Sequence, residues 1–193
     1  MSIMLDIFGS LLIAGIMFLT IFSLMGNMNQ ANIEKTLNVN VQGDIITLAQ
    51  ILESDLLKIG YHTKNDAIQY ADSSGIRFKS DLVNDSTIVT VQYTLGGNVT
   101  TTKNPKDKFI IRSVDGQTTI NASVGLTYIH YSYFDSLGRE LTSPLTTTNR
   151  LDSIKAIRVK IRLESAEPVA SPYSITPTYQ SVFWEKTIYP RNL

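Results

Sequence analysis

The sequence predicts an α+β fold, in which one long N-terminal helix, half apolar and half amphipathic, packs on a C-terminal antiparallel β-sheet. Three observations predict it. An almost unbroken apolar run occupies Ile7 to Met25. A helical stripe of apolar residues follows it, from Ile33 to Ile59. Beyond residue 61 the period of hydrophobicity falls from helical to two.

The apolar run IFGSLLIAGIMFLTIFSLM is interrupted only by Ser10, Thr20 and Ser23. A run of about 18 or more such residues is long enough to cross a bilayer core as a helix. Core helices of water-soluble proteins are rarely apolar on every face for five turns. A removable secretory signal would carry a basic n-region and a small-residue cleavage site. The segment MSIMLD has an acid and no base, so a cleaved signal is disfavoured. The first cation is Lys35, which leaves the positive-inside rule nothing to count on the N-terminal flank.

Proline is absent until Pro105. Ile33, Leu37, Val41, Ile45, Leu48, Leu52, Leu56 and Ile59 step by three or four and form one helical stripe. Glu34, Lys35, Asn38, Asn40, Gln42, Asp44, Gln50, Glu53, Asp55 and Lys58 occupy the other faces. Gly60 stands where helices commonly end in a left-handed residue, and Gly26-Asn27 is the one possible break. A continuous helix from residue 3 to 59 would be about 85 Å long, of which a bilayer core uses about 30 Å. The amphipathic half must therefore lie outside the membrane, with its stripe on the rest of the chain. The expected organisation is an apolar helix half at 1–28, an amphipathic half at 29–60, and a β-rich domain at 61–193 completed by that second half.

Thr87 to Leu95 alternates, with Val89, Val91, Tyr93 and Leu95 on one face. Gly96-Gly97-Asn98 then reads as a turn. Lys108–Ser113, Leu126–Phe134, Ala156–Glu164 and Ser181–Tyr189 are further strand candidates, and Asp135-Ser136-Leu137-Gly138 is a tight-turn composition between two of them. Short polar connections imply antiparallel pairing, because parallel strands need long crossovers. Residues 167–177 hold three of the six prolines and are expected to be a loop.

The catalytic inventory is thin. The 193 residues carry 17 Lys plus Arg against 17 Asp plus Glu, with two His and no Cys. No cysteine means no disulfide, thiolate metal site or cysteine nucleophile. Zero net charge offers no overall electrostatic footprint for nucleic acid. His62 and His130 lie far apart with no carboxylates at ligand spacing, so no metal site is expected. No nucleophile elbow, HExxH, P-loop or dinucleotide fingerprint occurs. No cofactor and no enzymatic activity are expected. Asp72–Gly75 and Asp115-Gly116 lack the alternating oxygen ligands of a calcium loop and read as ordinary turns. Arg158, Lys160 and Arg162 alternate with apolar residues. Such a stripe can bind phosphate or another polyanion, but the sequence favours the solvated face of a half-buried strand or a charge-guarded edge. The sequons at Asn84, Asn98 and Asn121 are expected by chance in a chain rich in Asn, Ser and Thr.

Asp6 is the residue to single out. A carboxylate at the end of an apolar helix is costly if it faces lipid unpaired. Either it sits solvated at headgroup level or caps the first turn, or it pairs with a cation inside an assembly. An α-amino group of a neighbouring copy would attract it by about 4 kcal/mol at ~4 Å and an effective dielectric near 20, before desolvation. Ser10 and Ala14, small residues one turn apart, permit close approach of another helix.

This arrangement resembles that of type IV pilin-like proteins. Leu48 to Tyr61 (LAQILESDLLKIGY) resembles the helix end of minor pilins, the W/J-type subunits of type IV pili and secretion pseudopili. Ile129–Leu141 is similar to their central hairpin, and Ile154–Leu163 and Trp184–Leu193 to their last strands and Arg-Asn end. Asp6 matches the position where the family usually has a glutamate near the mature amine. If Met1 is absent in the working protein, Ser2 bears that amine. No basic leader ending in Gly precedes the apolar run, so either the sequence is in mature form or processing differs from the family's pattern. The resemblance implies a structural subunit of a type IV pilus-like or pseudopilus filament. It would be anchored in the inner membrane before assembly, then incorporated with copies of itself or related pilin-like subunits into an extracellular or periplasmic filament. A single-pass membrane-anchored extracytoplasmic binding module is the alternative, and a nucleic-acid partner is not predicted.

Overall fold

The computed structural model describes residues 2–63, 66–169 and 176–193. Its first element, α1 (Ser2–Leu57), is one helix of 56 residues, about 84 Å long at ~1.5 Å per residue. It runs through Gly26-Asn27 without the break considered there. One interior glycine costs a helix only ~1 kcal/mol, and good helix formers on both sides outweigh it. The helix stops two residues before Ile59. The N–H groups of Lys58 and Ile59 turn to the carbonyls of Asp55 and Leu56, tightening the last turn. Gly60 follows at φ 77°, in the left-handed conformation, and donates its N–H to the Lys79 carbonyl. A Cβ there would also come within 2.9 Å of the Asn192 carbonyl oxygen. Asn192 in turn donates its side-chain amide to the Ile59 carbonyl, so the C-terminal tail closes the end of the helix.

The remaining chain forms β1 (Ile68–Ala71), β2 (Gly75–Ser80), β3 (Val89–Asn98), β4 (Lys108–Val114), β5 (Gln117–Phe134), β6 (Glu140–Leu141), α2 (Thr148–Leu151), β7 (Ala156–Glu164) and β8 (Ser181–Ile188). All strands join one antiparallel sheet in the order β1-β2-β3-β4-β5-β7-β8, with the short β6 paired to the end of β5. The meander curls. Tyr131 donates its N–H to the Ser73 carbonyl, and Tyr133 its hydroxyl to the carbonyls of Asp72 and Gly75, tying the β1–β2 turn to β5.

All five expected strands are present, four with different ends. Gly96-Gly97-Asn98 is not a turn: β3 continues through it as a bulge, where the register with β4 shifts between Leu95 and Asn98. Gly96 is needed because a Cβ would come within 2.9 Å of the Phe109 Cβ. β5 begins at Gln117 and not Leu126. Its first half pairs with β4 and its second with β7, so one 18-residue strand passes from one neighbour to the next. The polar composition of residues 117–123 hides that first half. β1, β2 and α2 were not expected, while β6 is the return arm of the hairpin that Ile129–Leu141 resembles. In β2 the alternation of buried Ile76, Phe78 and Ser80 with Arg77 and Lys79 is a period-two signal, but six residues long. The other turns are as anticipated. Asp115 and Gly116 both have positive φ, as a two-residue hairpin requires, and Asp72 and Asp135 accept N–H bonds from their own turns. Of residues 167–177, positions 170–175 lie outside the described residues; Val169 bridges Thr178 across the base of the segment.

The core lies between the sheet and the second half of α1. Val41, Ile45, Leu48, Leu52, Leu56 and Ile59 pack with Leu126, Ile129, Tyr131 and Tyr133 of β5 and with Ile157, Val159, Ile161 and Leu163 of β7. The stripe is covered only from Val41 onward; Ile33 is exposed and Leu37 half-buried. Each fully buried Leu, Ile or Val contributes about 1.5–3 kcal/mol.

Candidate assembly site

From Ile3 to Met28 every large apolar side chain among the described residues whose exposure is given is more than half exposed, and the one ring contact there, Phe18 with Phe22 at 5.0 Å between centroids, lies along the helix itself. Ile7–Met25 spans about 28 Å as helix, which matches a ~30 Å hydrocarbon core. Two of its three polar side chains bond back to the helix. Ser10 donates its hydroxyl to the Ile7 carbonyl at 2.9 Å and Thr20 to the Met17 carbonyl at 2.8 Å. These bonds satisfy the hydroxyls locally and leave the helix surface apolar.

Asp6, Ser10 and Ala14 follow one another at intervals of four, so α1 sets them on one face. All three are exposed. None of the ion pairs among the described residues reaches Asp6. The nearest cation along α1 is Lys35, about 43 Å away at ~1.5 Å per residue. Met1 lies outside the described residues. Gly9 and Gly15 flank this face, and a Cβ on either would meet nothing within 4 Å, so backbone is open to an approaching surface there.

At its other end α1 is locked by polar contacts that the sequence did not single out. Asp55 is buried on the helix face toward β3 and β4. Its Oδ2 accepts from the Tyr93 hydroxyl at 2.6 Å and from Arg112 Nε at 2.7 Å. Arg112 Nη1 continues to Thr119 Oγ1 at 2.9 Å. Burial, then the Asp55 carboxylate, push the Tyr93 hydroxyl far above its ordinary range. Burial opposes the Arg112 charge, but Asp55 and Tyr93 outweigh it and hold the guanidinium protonated. Lys186 of β8 pairs with Glu53, and Lys58 Nζ donates to the Leu82 carbonyl. The only sequence signal for these contacts is an acid at 55 one position from the apolar stripe.

His62 pairs through Nδ1 with Asp81 at 2.8 Å, a partner 19 positions away that spacing did not reveal. Asp81 is buried and also accepts the N–H groups of Asn84, Asp85 and Ser86. Burial works to raise its carboxyl, but His62 and the three amides hold it below the usual range. It orders the loop after β2. No group of three or more His, Cys, Asp or Glu among the described residues could hold a metal ion.

No protein-family model matches the sequence, and no curated protein matches it. A solved type IV-like pilin from Thermus thermophilus matches the structure with a TM-score of 0.52 at 11% identity, over 79% of this chain and 96% of that one. The fold is that of a type IV-like pilin. In this pilin-like chain the long helix, the curled antiparallel sheet over its second half and the bare apolar first half are all present. Asp6, Ser10 and Ala14 lie on the bare half, well away from the β-domain.

Proposed function

We propose that the chain is a structural subunit of a type IV pilus-like or pseudopilus filament, assembling through packing of its N-terminal helix. The observation that carries this reading is the bare apolar half of α1, attached rigidly to a folded domain whose fold is pilin-like. A helix apolar all round needs either lipid or other apolar helices about it. Residues 1–28 serve both needs in turn, anchoring the chain in the inner membrane and later bundling in a filament core. Residues 29–60 are the amphipathic half of the helix, whose stripe from Val41 completes the β-domain that forms the outer surface. The partners are copies of the chain or related pilin-like subunits, and the assembled filament is extracellular or periplasmic. No catalytic step enters.

Within such a bundle Asp6 would be an uncompensated charge unless a cation from another subunit meets it. The amine at the start of a neighbouring chain has the right chemistry, while Ser10 and Ala14 allow its helix to come close. Losing one member of a buried pair typically costs about 3–5 kcal/mol. Asp6→Ala should therefore leave the β-domain folded and the protein in the membrane while sheared filaments become rare or absent. Asp6→Glu should retain assembly. Negative-stain microscopy of sheared surface material, with mass spectrometry of its N-terminus, reads the outcome. Filaments at normal yield from Asp6→Ala cells would sink the charge-pairing role; a chain that stays monomeric in the membrane in its native form would favour the binding module.

A further inference from the structure

We propose that the cleft between β5, β6 and the β1–β2 turn is a binding site for a neutral saccharide, lined by Ser73, His130, Ser132, Glu140, Thr142 and Ser143. The sheet opens there for a topological reason. β6 pairs with β5 only through Leu141 opposite Tyr133 and Glu140 opposite Phe134. From Thr142 the chain leaves β5 and crosses to β1, where Leu145 bridges Ala71. The Tyr131 N–H turns instead to the Ser73 carbonyl. Between β5 and residues 142–143 this leaves a cleft of about 420 Å³, within the ~300–1,000 Å³ of small-molecule sites. Tyr131 and Tyr133 belong to the core, so the alternate positions His130, Ser132 and Phe134 point away from α1. Glu140, directly opposite Phe134, shares that outward face.

The polar groups of this cleft are unspent. Among the described residues, none of the six side chains takes part in a hydrogen bond or an ion pair within the chain. The acids of the flanking turns behave differently. Asp72 accepts from Tyr70, Ser74 and Gly75, and Asp135 from Leu137 and Arg139. Ser132 is the sharpest case, because its residue is only 9% exposed and yet its hydroxyl has no partner. A hydroxyl so far removed from water is costly unless something bonds to it.

The inventory selects the ligand. Four hydroxyls that each donate and accept, a carboxylate that accepts at two oxygens and an imidazole make an array of mixed polarity. A molecule carrying many hydroxyls answers such an array group for group. Charge favours a neutral one. Arg150 reaches the rim, donating to the Thr142 carbonyl at 2.8 Å, and offsets Glu140. Lys160, opposite His130, is engaged by Glu185 at 3.4 Å, and Asp135 by Arg139 at 2.8 Å. Glu140 repels an anion, and the described residues hold no set of three His, Cys, Asp or Glu for a metal ion. Tyr128, 41% exposed, sets its ring nearly parallel to that of His130, at 11° and 6.2 Å between centroids. Its apolar face beside a polar cleft suits the C–H face of a second sugar ring. The cleft belongs to the β-domain alone, so it serves a filament subunit and a membrane-anchored module alike.

The test uses the full chain in a polyoxyethylene detergent, which carries no sugar, and saturation-transfer difference NMR. Cellobiose, lactose, diacetylchitobiose and α-mannobiose are titrated in turn. At least one should bind saturably with a Kd on the order of 1 mM or tighter, unchanged between low and high salt. Glu140→Gln should weaken that sugar about ten-fold and Ser132→Ala about three-fold or more, as loss of a bond to a charged and to a neutral group does. Tyr128→Leu should weaken it about two-fold or more. Circular dichroism confirms that each variant is folded. Absence of saturable binding by all four sugars overturns the proposal. So does a sugar whose affinity survives both Glu140→Gln and Ser132→Ala, because it then binds elsewhere on the chain.

Discussion

Replacing Asp55 by alanine tests whether α1 is held to the sheet by charge as well as by apolar packing. The carboxylate and the Arg112 side chain are 11% and 14% exposed, and their N···O distance is 2.7 Å. Removing one partner of a buried pair costs about 3–5 kcal/mol, chiefly because the survivor keeps an uncompensated charge. Arg112 retains Thr119 and a little solvent, which puts the loss at the lower end, about 3 kcal/mol. Tyr93 loses its acceptor too, and Tyr93→Phe alone should cost about 1 kcal/mol. The assay is urea unfolding in nonionic detergent, followed by the fluorescence of Trp184, the single tryptophan, which packs against the core from β8. Asp55→Leu combined with Arg112→Met should recover much of the loss, since no charge is then left buried. A loss below about 1 kcal/mol in Asp55→Ala would refute the reasoning, because the pair would then behave as a solvated surface bridge.

Leu52→Ala removes a side chain with no exposed surface from the helix–sheet core and should destabilise by about 2–5 kcal/mol in the same assay. Deleting residues up to Met28 should yield a soluble monomer by sedimentation; a stable high-order oligomer would mean that the β-domain itself drives association. Acid should act on the stability of the β-domain in two stages of opposite sign. Burial pushes the Asp107 carboxyl up, so folding strains its charged form, and stability rises as pH falls toward ~4 and that group protonates. Asp72 and Asp81 are held low by the groups donating to them, against burial, and Asp135 is held low first by the Arg139 amide. Their contribution is complete above the unfolded value of ~3.9 and is lost as pH falls through their folded values. Thermal melts should therefore show a decline confined to the region below about pH 4, and Asp107→Asn should reduce the rise that precedes it, leaving the part due to Asp44, whose carboxyl burial also pushes up.

The extent of α1, the bareness of its first half, and five of the strands follow from the sequence because each rests on a local pattern. An apolar run is apolar wherever it lies, and a stripe at intervals of three and four, or an alternation such as Ile157, Val159, Ile161 and Leu163, needs no partner to be recognised. The turns at Asp115-Gly116 and Asp135–Gly138 are local in the same sense. Pairings across the chain are not. Gly96 reads as a turn residue until Phe109 of the facing strand is seen to require it. The first half of β5 is polar and becomes a strand because β4 offers its free edge. Asp55 meets Arg112 from 57 positions away, and His62 meets Asp81 from 19. Arg162 gains Tyr128 and Phe183 only through the register of β5, β7 and β8. Hydrophobic periodicity records which face of an element is buried. The register that decides which residues meet there depends on long-range hydrogen-bonded pairing, to which no single segment holds the key.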